Sequence, residues 1–171
     1  MKILLIISAS IAIKKCAILC KKLVKNKIII DAIFTENATK MSGSKELKRI
    51  INGKIYSDDS EKNNKMLHIK LTREADLIVV CPATANIIAK YANGIANDLA
   101  STALITSNKQ ILIIPAMNSE MWNNSTNLRN IRKIRNFGAE FIGPEYGKLA
   151  CGEIGLGRLA DLEKIKKIVI N

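Results

Sequence analysis

The segment from Pro115 to Trp122 concentrates side chains that suit a small-molecule pocket. It carries the amide of Asn118, two thioethers and the only tryptophan of the chain. Methionine and tryptophan most often pack in a core. Here they surround an amide directly after an apolar, β-rich run, where a strand is expected to end. That position favours a ligand pocket in which Asn118 binds a polar part of the ligand.

A second chemical group is the thiol of Cys151, in the segment from Lys148 to Arg158. Three glycines fall within six residues of this segment, a spacing typical of a mobile loop that closes over a substrate. A cysteine in such a loop is better explained as a reactive group than as core filler. Arg158 either holds the loop closed or contacts an anion.

Two further loops have the small and polar residues that a cofactor needs. Ser8, Ala9 and Ser10 follow the first apolar run, and Pro82–Asn86 follows a later one. Small side chains let a phosphate or a planar ring approach backbone N–H groups at a helix start. Both loops are also compatible with ordinary helix caps, and the glycine-rich dinucleotide motif is absent. Composition alone leaves the two interpretations balanced for Ser8–Ser10 and favours a capped helix start for Pro82–Asn86.

The single histidine and two neighbouring cysteines each have two explanations. His68 is either a structural histidine or a base, since it begins a segment just before a strand. Cys16 and Cys20 are four residues apart and would share a helix face, which suits metal ligands. No second cysteine pair is present, so buried thiols are the better interpretation and no metal site is expected.

The composition excludes several classes of protein. The chain has 171 residues, 48% of them hydrophobic, which suits one domain with a real core and excludes a disordered chain. Its 27 Lys and Arg against 15 Asp and Glu give a formal charge of +12. The lysines are scattered and aromatic residues are only 4%, so we expect no nucleic-acid partner. Part of the charge is expected to attract an anionic small substrate.

Apolar, β-rich runs alternate with segments of helical periodicity along the chain. The runs predict strands at Lys2–Ile7, Lys27–Thr35, Asp76–Cys81, Gln110–Ile114 and Glu140–Ile142. Helices are predicted at Ser10–Lys25, Lys45–Ile51, Leu67–Glu74 (or a turn), Thr84–Tyr91, Ile95–Thr106, Ser125–Asn136 and Asp161–Ile170. Asn52–Lys65 and the Gly-rich Gly143–Gly157 are predicted loops. The pattern predicts one α/β domain over residues 1–171: a doubly wound, Rossmann-like or flavodoxin-like parallel sheet with helices on both faces.

Ligands of doubly wound sheets bind beyond the carboxyl ends of the strands. This rule points to four segments that begin where a predicted strand ends: Ser8–Ser10, Thr35–Thr39, Pro82–Asn86 and Pro115–Trp122. We therefore expect the candidate residues above to meet at one edge of the sheet.

The N-terminal apolar run Lys2–Ala12 resembles the start of a signal peptide. It gives way to a helical pattern, however, as a buried first strand does. No apolar stretch approaches the roughly 20 residues needed to span a bilayer. We therefore expect a cytoplasmic protein without a membrane partner.

In this order and spacing, the motifs resemble the flavin-dependent cysteine decarboxylases. Pro115–Trp122 is similar to the family's Pro-x-Met-Asn-x-x-Met-Trp signature, in the form that acts on phosphopantothenoylcysteine. Pro82–Asn86 resembles its Pro-Ala-Ser-Ala-Asn segment, and Ala150–Arg158 resembles its substrate-recognition clamp. His68, eight residues before the strand that starts at Asp76, matches its active-site histidine segment.

The resemblance extends over almost the whole chain and implies an FMN enzyme of coenzyme A synthesis. The implied reaction converts 4′-phosphopantothenoyl-cysteine to 4′-phosphopantetheine by decarboxylation. Flavin oxidises the cysteinyl thiol to a thioaldehyde, which accepts the electrons that remain when carbon dioxide leaves. Reduced flavin then returns its electrons to the enethiolate.

The same resemblance implies a role for individual residues. His68 is the base or positioning group near the thiol, Asn118 holds the substrate carboxylate, and Cys151 donates the proton to the enethiolate. The substrate pocket is expected to contain Asn118, Met121, Ala150, Cys151, Gly152 and Arg158. FMN is expected to contact Ala9, Ser10, Thr35, Thr84, Ala85, Asn86, Ile87 and Ala116.

The resemblance also bears on partners. It implies a homo-oligomer, a trimer or a multiple of one, because the family's cofactor lies near the subunit contacts of a trimer. Bacterial members are often fused to a C-terminal ligase, whereas this chain ends after the clamp. We therefore expect no ligase domain, and any ligase would be a separate partner. Two alternatives stay open: a peptidyl-cysteine decarboxylase of the same family, and a non-catalytic FMN-binding regulatory subunit.

Overall fold

Six parallel strands form the central sheet of the described residues, which are 1–62, 64 and 66–170 of a computed structural model. In chain order they are β1 (Lys2–Ile7), β2 (Ile29–Phe34), β3 (Ile55–Tyr56), β4 (Leu77–Ala83), β5 (Ile111–Pro115) and β6 (Glu140–Phe141). Their order across the sheet is β3-β2-β1-β4-β5-β6, which is the Rossmann order and reverses between β1 and β4. The predicted doubly wound fold is confirmed.

Helices connect the strands, and a hairpin follows the last of them. The helices are α1 (Ile13–Lys25), α2 (Glu36–Thr39), α3 (Ser44–Ile50), α4 (Asp58–Lys62), α5 (Leu67–Glu74), α6 (Ala85–Ala92), α7 (Leu99–Thr106), α8 (Ser119–Asn123), α9 (Ser125–Asn136) and α10 (Leu162–Ile170). The hairpin pairs β7 (Glu145–Lys148) with β8 (Ile154–Arg158) in antiparallel fashion.

The central strand β1 is buried on both faces, because helices cover each side of the sheet. Ile3, Leu5 and Ile7 pack in a core with α1, α3 and α10. Leu4 and Ile6, which point the other way, pack in a second core with α5, α6, α7 and α9. This explains why the strands appear in the sequence as continuous apolar runs rather than as an alternating pattern.

The prediction of a loop at Asn52–Lys65 is wrong for most of the residues that the structure describes there. This segment contains β3, which pairs with only two residues of β2, and the helix α4. The carboxylate of Asp58 in α4 accepts a hydrogen bond from Leu99 N at 2.8 Å. Both elements therefore depend on distant partners that a polar local pattern does not reveal. Residues 63 and 65 of this predicted loop lie outside the described residues.

The predicted Gly143–Gly157 loop is also wrong, because β7 and β8 occupy most of it. Strand β4 does not stop at Pro82 but continues to Ala83, which pairs with Pro115 of β5. The short helices α2 and α8 occupy segments where loops were expected.

The burial predicted for Cys16 and Cys20 is confirmed, since both thiols on α1 are fully buried. Cys16 donates a hydrogen bond to the carbonyl of Cys81 at 3.2 Å. The hydrogen bond with Cys16, together with burial, raises the pKa of the Cys20 thiol well above its ordinary value. Among the described residues, no cluster of His, Cys, Asp and Glu is arranged to hold a metal ion.

The longest of the described helices, α1, has 13 residues and carries five lysines. No helix in residues 1–62, 64 and 66–170 has the length and apolar character needed to cross a membrane.

The start of α7 offers a test of the packing between helices. Asp98 caps this helix: its carboxylate accepts hydrogen bonds from Ser101 N at 2.7 Å and from the ammonium of Lys90 in α6. Burial alone would raise the pKa of Asp98, but the hydrogen bonds from Lys90 and Ser101 lower it below its ordinary value. This contribution to stability is therefore present at neutral pH and is lost as the pH falls through that lowered pKa.

We expect Asp98→Ala to lower the free energy of unfolding at pH 7 by about 1–2 kcal/mol, as the loss of a helix cap does. The difference from the parent should shrink in urea unfolding measured at progressively lower pH, starting below about 4, the ordinary aspartate pKa of the unfolded chain, and continuing down through the lowered pKa of Asp98. Asp59→Ala is the control, because Asp59 is exposed and, among the described residues, forms an ion pair only with Lys62 three residues later. Equal midpoints for parent and Asp98→Ala at pH 7 would contradict the capping role.

Candidate active site

The site lies where the strand order reverses, at the carboxyl ends of β1 and β4. The buried hydroxyl of Ser8 donates to the carbonyl of Pro82 at 2.7 Å and accepts from Thr84 N at 3.0 Å. One side chain thus fixes the loop after β1 against the loop after β4. Both loops were predicted to bind a ligand, and this contact keeps them side by side.

The loops after β2 and β5 join the same edge. Thr35 N donates to the carbonyl of Ile7 at 3.0 Å, and Ala116 N donates to the carbonyl of Ala83 at 3.1 Å. The Ser10 hydroxyl also donates to the carbonyl of Ala116 at 3.5 Å. The residues predicted to contact FMN therefore follow four adjacent strands.

The glycines of strand β8 allow this strand to pack directly against the loop after β5. Met117 N donates to the carbonyl of Gly157 at 3.0 Å. A Cβ atom at Gly157 would lie 2.2 Å from the carbonyl oxygen of Met117, and one at Gly155 would lie 2.8 Å from the side chain of Ser119. The glycine spacing that predicted a mobile loop instead permits close packing of two backbones.

The hairpin, the loop after β1 and the loop after β5 enclose a cavity of about 640 Å³. Six of the predicted site residues line it: Ser10, Ala116, Asn118, Ala150, Cys151 and Arg158. The other predicted residues do not line it: Ala9, Thr35, His68, Thr84, Ala85, Asn86, Ile87, Met121 and Gly152. Met121 is about half exposed.

Asn118 and Cys151 meet at this cavity, although 33 residues separate them. The Asn118 side-chain oxygen accepts from Glu120 N at 2.7 Å, as the cap of α8. Its Nδ2 lies 3.7 Å from the Cys151 sulfur and 3.0 Å from the Glu153 carboxylate. The Cys151 thiol also donates to this carboxylate, at 3.4 Å. An amide donor, a thiol and a carboxylate therefore form one cluster.

Glu153 is the residue that the sequence interpretation missed. It belongs to the clamp motif, but no role was assigned to it. A signal was available, because an acidic side chain two residues from a candidate reactive cysteine is close enough to share its hydrogen bonds. The contact with Asn118 could not be foreseen without the hairpin.

The structure does not bring His68 to Asn118 and Cys151 within one chain. His68 lies in α5, and its ring nitrogen Nδ1 pairs with the carboxylate of Glu61 in α4. Its backbone carbonyl accepts from the hydroxyl of Thr72. Its catalytic role stays a prediction.

The cavity has a cationic wall. Lys14, Lys15, Lys148 and Arg158 all line it. Arg158 pairs with Glu145 at 3.1 Å, whereas the three lysines have no ion pair among the described residues. A site of this kind attracts anionic ligands.

Comparison with known families agrees with this architecture. The model of the family described as Flavoprotein matches residues 1–171. The chain belongs to the flavoprotein family. The predicted resemblance to flavin-dependent cysteine decarboxylases is confirmed by the relatives that follow.

Two curated relatives of this flavoprotein differ in length. The coenzyme A biosynthesis bifunctional protein CoaBC of Bacillus subtilis is 38% identical over 168 residues, which are 97% of this chain and 41% of that protein. The chain thus spans about two-fifths of the bifunctional relative. The probable phosphopantothenoylcysteine decarboxylase of Streptococcus mutans is 33% identical over 168 residues, 96% of this chain and 94% of that protein.

Solved structures also resemble this flavoprotein over nearly its whole length. One is a cysteine-to-serine mutant of a PPC decarboxylase complexed with pantothenoylaminoethenethiol. It has a TM-score of 0.90 and 29% identity, with 99% of this chain and 96% of that chain covered. Another is the FMN binding protein AtHal3, with a TM-score of 0.86 and 30% identity, covering 99% of this chain and 94% of that one.

The seating of the hairpin can be tested with Gly157→Ala. A Cβ there collides with the backbone of Met117, and such overpacking costs about 1–3 kcal/mol. We expect the hairpin to detach about ten times more often, with the sheet intact, so that trypsin cleaves more rapidly after the exposed Lys148. Cleavage rate is measured by mass spectrometry and the integrity of the fold by circular dichroism.

Gly138→Ala is the matched control for this variant. Gly138 also has a positive φ, of 94°, but a Cβ there meets nothing within 4 Å. Gly138→Ala therefore measures the effect of replacing a glycine at positive φ where the added Cβ collides with nothing. Equal cleavage rates for the two variants would show that the hairpin does not depend on the close approach of Gly157 to Met117.

Proposed function

We propose that this flavoprotein decarboxylates 4′-phosphopantothenoyl-cysteine to 4′-phosphopantetheine with FMN, in coenzyme A synthesis. The observation that carries the proposal is the meeting of Asn118 and Cys151 at the cavity. A fixed amide donor suits a carboxylate, and an exposed thiol 3.7 Å away suits proton transfer to the carbon chain next to it. The names of the relatives from Bacillus subtilis and Streptococcus mutans support the same reaction.

The loops at the centre of the sheet edge fit a flavin phosphate. Among the described residues, the Thr84 side chain makes no capping hydrogen bond to α6, which leaves its hydroxyl and the first N–H groups of the helix available to a ligand. The Ser10 hydroxyl lies across the edge beside Ala116. We assign FMN binding to Ala9, Ser10, Thr35, Thr84, Ala85, Asn86, Ile87 and Ala116. When bound, FMN supplies the two-electron oxidation of the substrate thiol and later returns those electrons.

Asn118 is assigned to the substrate carboxylate. Its oxygen is held by Glu120 N, so the amide presents its N–H groups to the cavity. This geometry binds the carboxylate while the bond to it breaks. After carbon dioxide leaves, the enethiolate needs a proton on carbon, and the Cys151 thiol beside Asn118 supplies it.

The phosphate end of the substrate is assigned to the cationic wall. Lys14, Lys15 and Lys148 line the cavity without an ion pair among the described residues. A dianionic phosphate would neutralise part of this charge. A peptide ending in cysteine carries no phosphate, so the wall favours the phosphorylated substrate over the peptidyl alternative.

A homo-oligomer, a trimer or a multiple of one, is part of the proposal. Large apolar side chains are exposed around the site: Ile11 (63%), Met121 (48%), Tyr146 (68%) and Ile154 (69%). Exposed apolar side chains of this size are typical of an interface. A contact between copies would also allow His68 of one copy to lie beside the cavity of another. A ligase that supplies the substrate and a cytoplasmic location complete the proposal, as coenzyme A synthesis implies.

The proton donor can be tested with Cys151→Ser. With FMN and substrate, we expect this variant to release carbon dioxide but to accumulate the oxidised enethiol, because the serine hydroxyl is a much weaker acid. Carbon dioxide release and mass spectrometry of the product measure the two steps. Tyr146→Phe, at an exposed position of the same hairpin, should form phosphopantetheine normally. Full phosphopantetheine formation by Cys151→Ser would refute the proton-donor role.

The parent protein distinguishes the remaining alternatives in the same assay. Bound FMN, seen by absorbance, without turnover of any cysteine substrate would favour the regulatory subunit. Equal turnover of a cysteine-terminated peptide and of the phosphorylated substrate would favour the peptidyl-cysteine decarboxylase.

The cationic wall can be tested with the double variant Lys14→Gln/Lys148→Gln. Each exposed charge pair contributes up to about 1 kcal/mol, so we expect KM for the phosphorylated substrate to rise about five- to tenfold. KM for the substrate without phosphate should not change. Lys133→Gln/Lys167→Gln removes the same charge from exposed positions outside the cavity. An equal rise in KM in both double variants would indicate a general effect of net charge.

A further inference from the structure

The Asn118 amide has only one orientation that satisfies the site. Its oxygen accepts from Glu120 N at 2.7 Å, and an N–H group in that place would face another donor. The amide nitrogen therefore faces the hairpin, with both of its protons available there. A carboxylate is the natural partner for such a donor.

A carboxylate of the chain itself already occupies that position. One oxygen of Glu153 accepts from Asn118 Nδ2 at 3.0 Å and from the Cys151 thiol at 3.4 Å. Glu153 thus binds the two groups that the proposed function assigns to the substrate. No other carboxylate among the described residues hydrogen-bonds to either of them.

A tight turn of the hairpin places Glu153 there. Leu149 N donates to the carbonyl of Glu153 at 2.8 Å, and Gly152 N donates to the carbonyl of Leu149 at 3.0 Å. The buried side chain of Leu149 anchors the turn in the protein. Cys151 and Glu153 are therefore presented on the same side of the turn, while the Glu153 side chain remains exposed and free to swing outward.

We propose that Glu153 is a built-in stand-in for the ligand's carboxylate: it occupies the Asn118 amide in the free protein and leaves when a carboxylate ligand binds. The inference rests on the proposed function, which assigns Asn118 to the substrate carboxylate. The amide has two N–H groups, but two carboxylates side by side on one amide nitrogen would repel each other strongly. Substrate binding therefore displaces Glu153, and the loss of carbon dioxide frees Asn118 for its return. Glu153 therefore lowers the affinity of the Asn118 amide for external carboxylates, so that only a ligand held by further contacts displaces it.

The Cys151 thiol provides a probe that does not depend on the substrate, since the other three cysteines are buried. Iodoacetate and iodoacetamide alkylate a thiol by the same displacement of iodide, but only iodoacetate carries a carboxylate. The ratio of their rates at Cys151 cancels changes in thiol reactivity and reports whether Asn118 accepts an external carboxylate. The rates are measured by mass spectrometry on the purified, cofactor-loaded protein.

We expect Glu153→Gln to raise the ratio of iodoacetate to iodoacetamide rates about three- to tenfold, the range of one exposed charge-assisted hydrogen bond. Glu120→Gln is the matched control: it removes a carboxylate next to Asn118 whose side chain makes no hydrogen bond to the cluster. The control should change the ratio much less. The gain should also disappear in Asn118→Ala/Glu153→Gln, because the amide that receives the carboxylate is then missing.

An unchanged ratio in Glu153→Gln, or an equal rise in Glu120→Gln, would overturn the inference. Turnover is measured separately on the same variants, where Glu153→Gln should lower KM for the carboxylate substrate. If no variant turns over substrate but the alkylation ratio responds as expected, the proposed function fails and the stand-in contact survives. If turnover is normal and the ratio does not respond, only the inference fails.

Discussion

The hydroxyl of Ser8 joins the two central strands at the point where the strand order reverses, and the site depends on this bridge. Backbone hydrogen bonds then connect this bridge to the loop after β5 and to the hairpin. Ala116 is bonded to the end of β4, and Met117 is bonded to Gly157 of the hairpin. Cys151, at the tip of that hairpin, is thus connected to the middle of the sheet through a few short contacts. Rigid positioning of an exposed thiol requires such a connection, because loops alone rarely hold a reactive group in place.

The central strands could be predicted from sequence because burial on both faces leaves an unmistakable apolar run. Strand β3 could not, since it has only two paired residues and its neighbours are polar. The hairpin was missed for a different reason. Gly155 and Gly157 are two residues apart, which is the period of a strand, but glycine usually indicates flexibility. What the pattern did not show is the backbone of Met117 lying where a side chain would be.

Individual residues of the candidate site could be predicted from the sequence, but their arrangement in space could not. Asn118 and Cys151 were identified by residue type and motif, and the hairpin then explains how they meet. Glu153 could not be predicted, because its significance lies in one carboxylate oxygen that both Asn118 and Cys151 contact in the folded chain. His68 shows the opposite case: the motif marks it, yet within one chain it pairs with Glu61. A motif therefore marks a residue without showing where the fold places it.

The two anionic ends of the proposed substrate meet different conditions in the cavity. Lys14, Lys15 and Lys148 have no competing ion pair among the described residues, so a phosphate finds an open site with little to displace. The carboxylate finds Asn118 already occupied by Glu153. Because an exposed hydrogen bond contributes little to affinity, the phosphate must hold the ligand while the carboxylate exchange takes place. On this proposal the substrate would bind first by its phosphate and then by its carboxylate. A ligand without phosphate would lose the first contact, and a ligand without carboxylate would not displace Glu153.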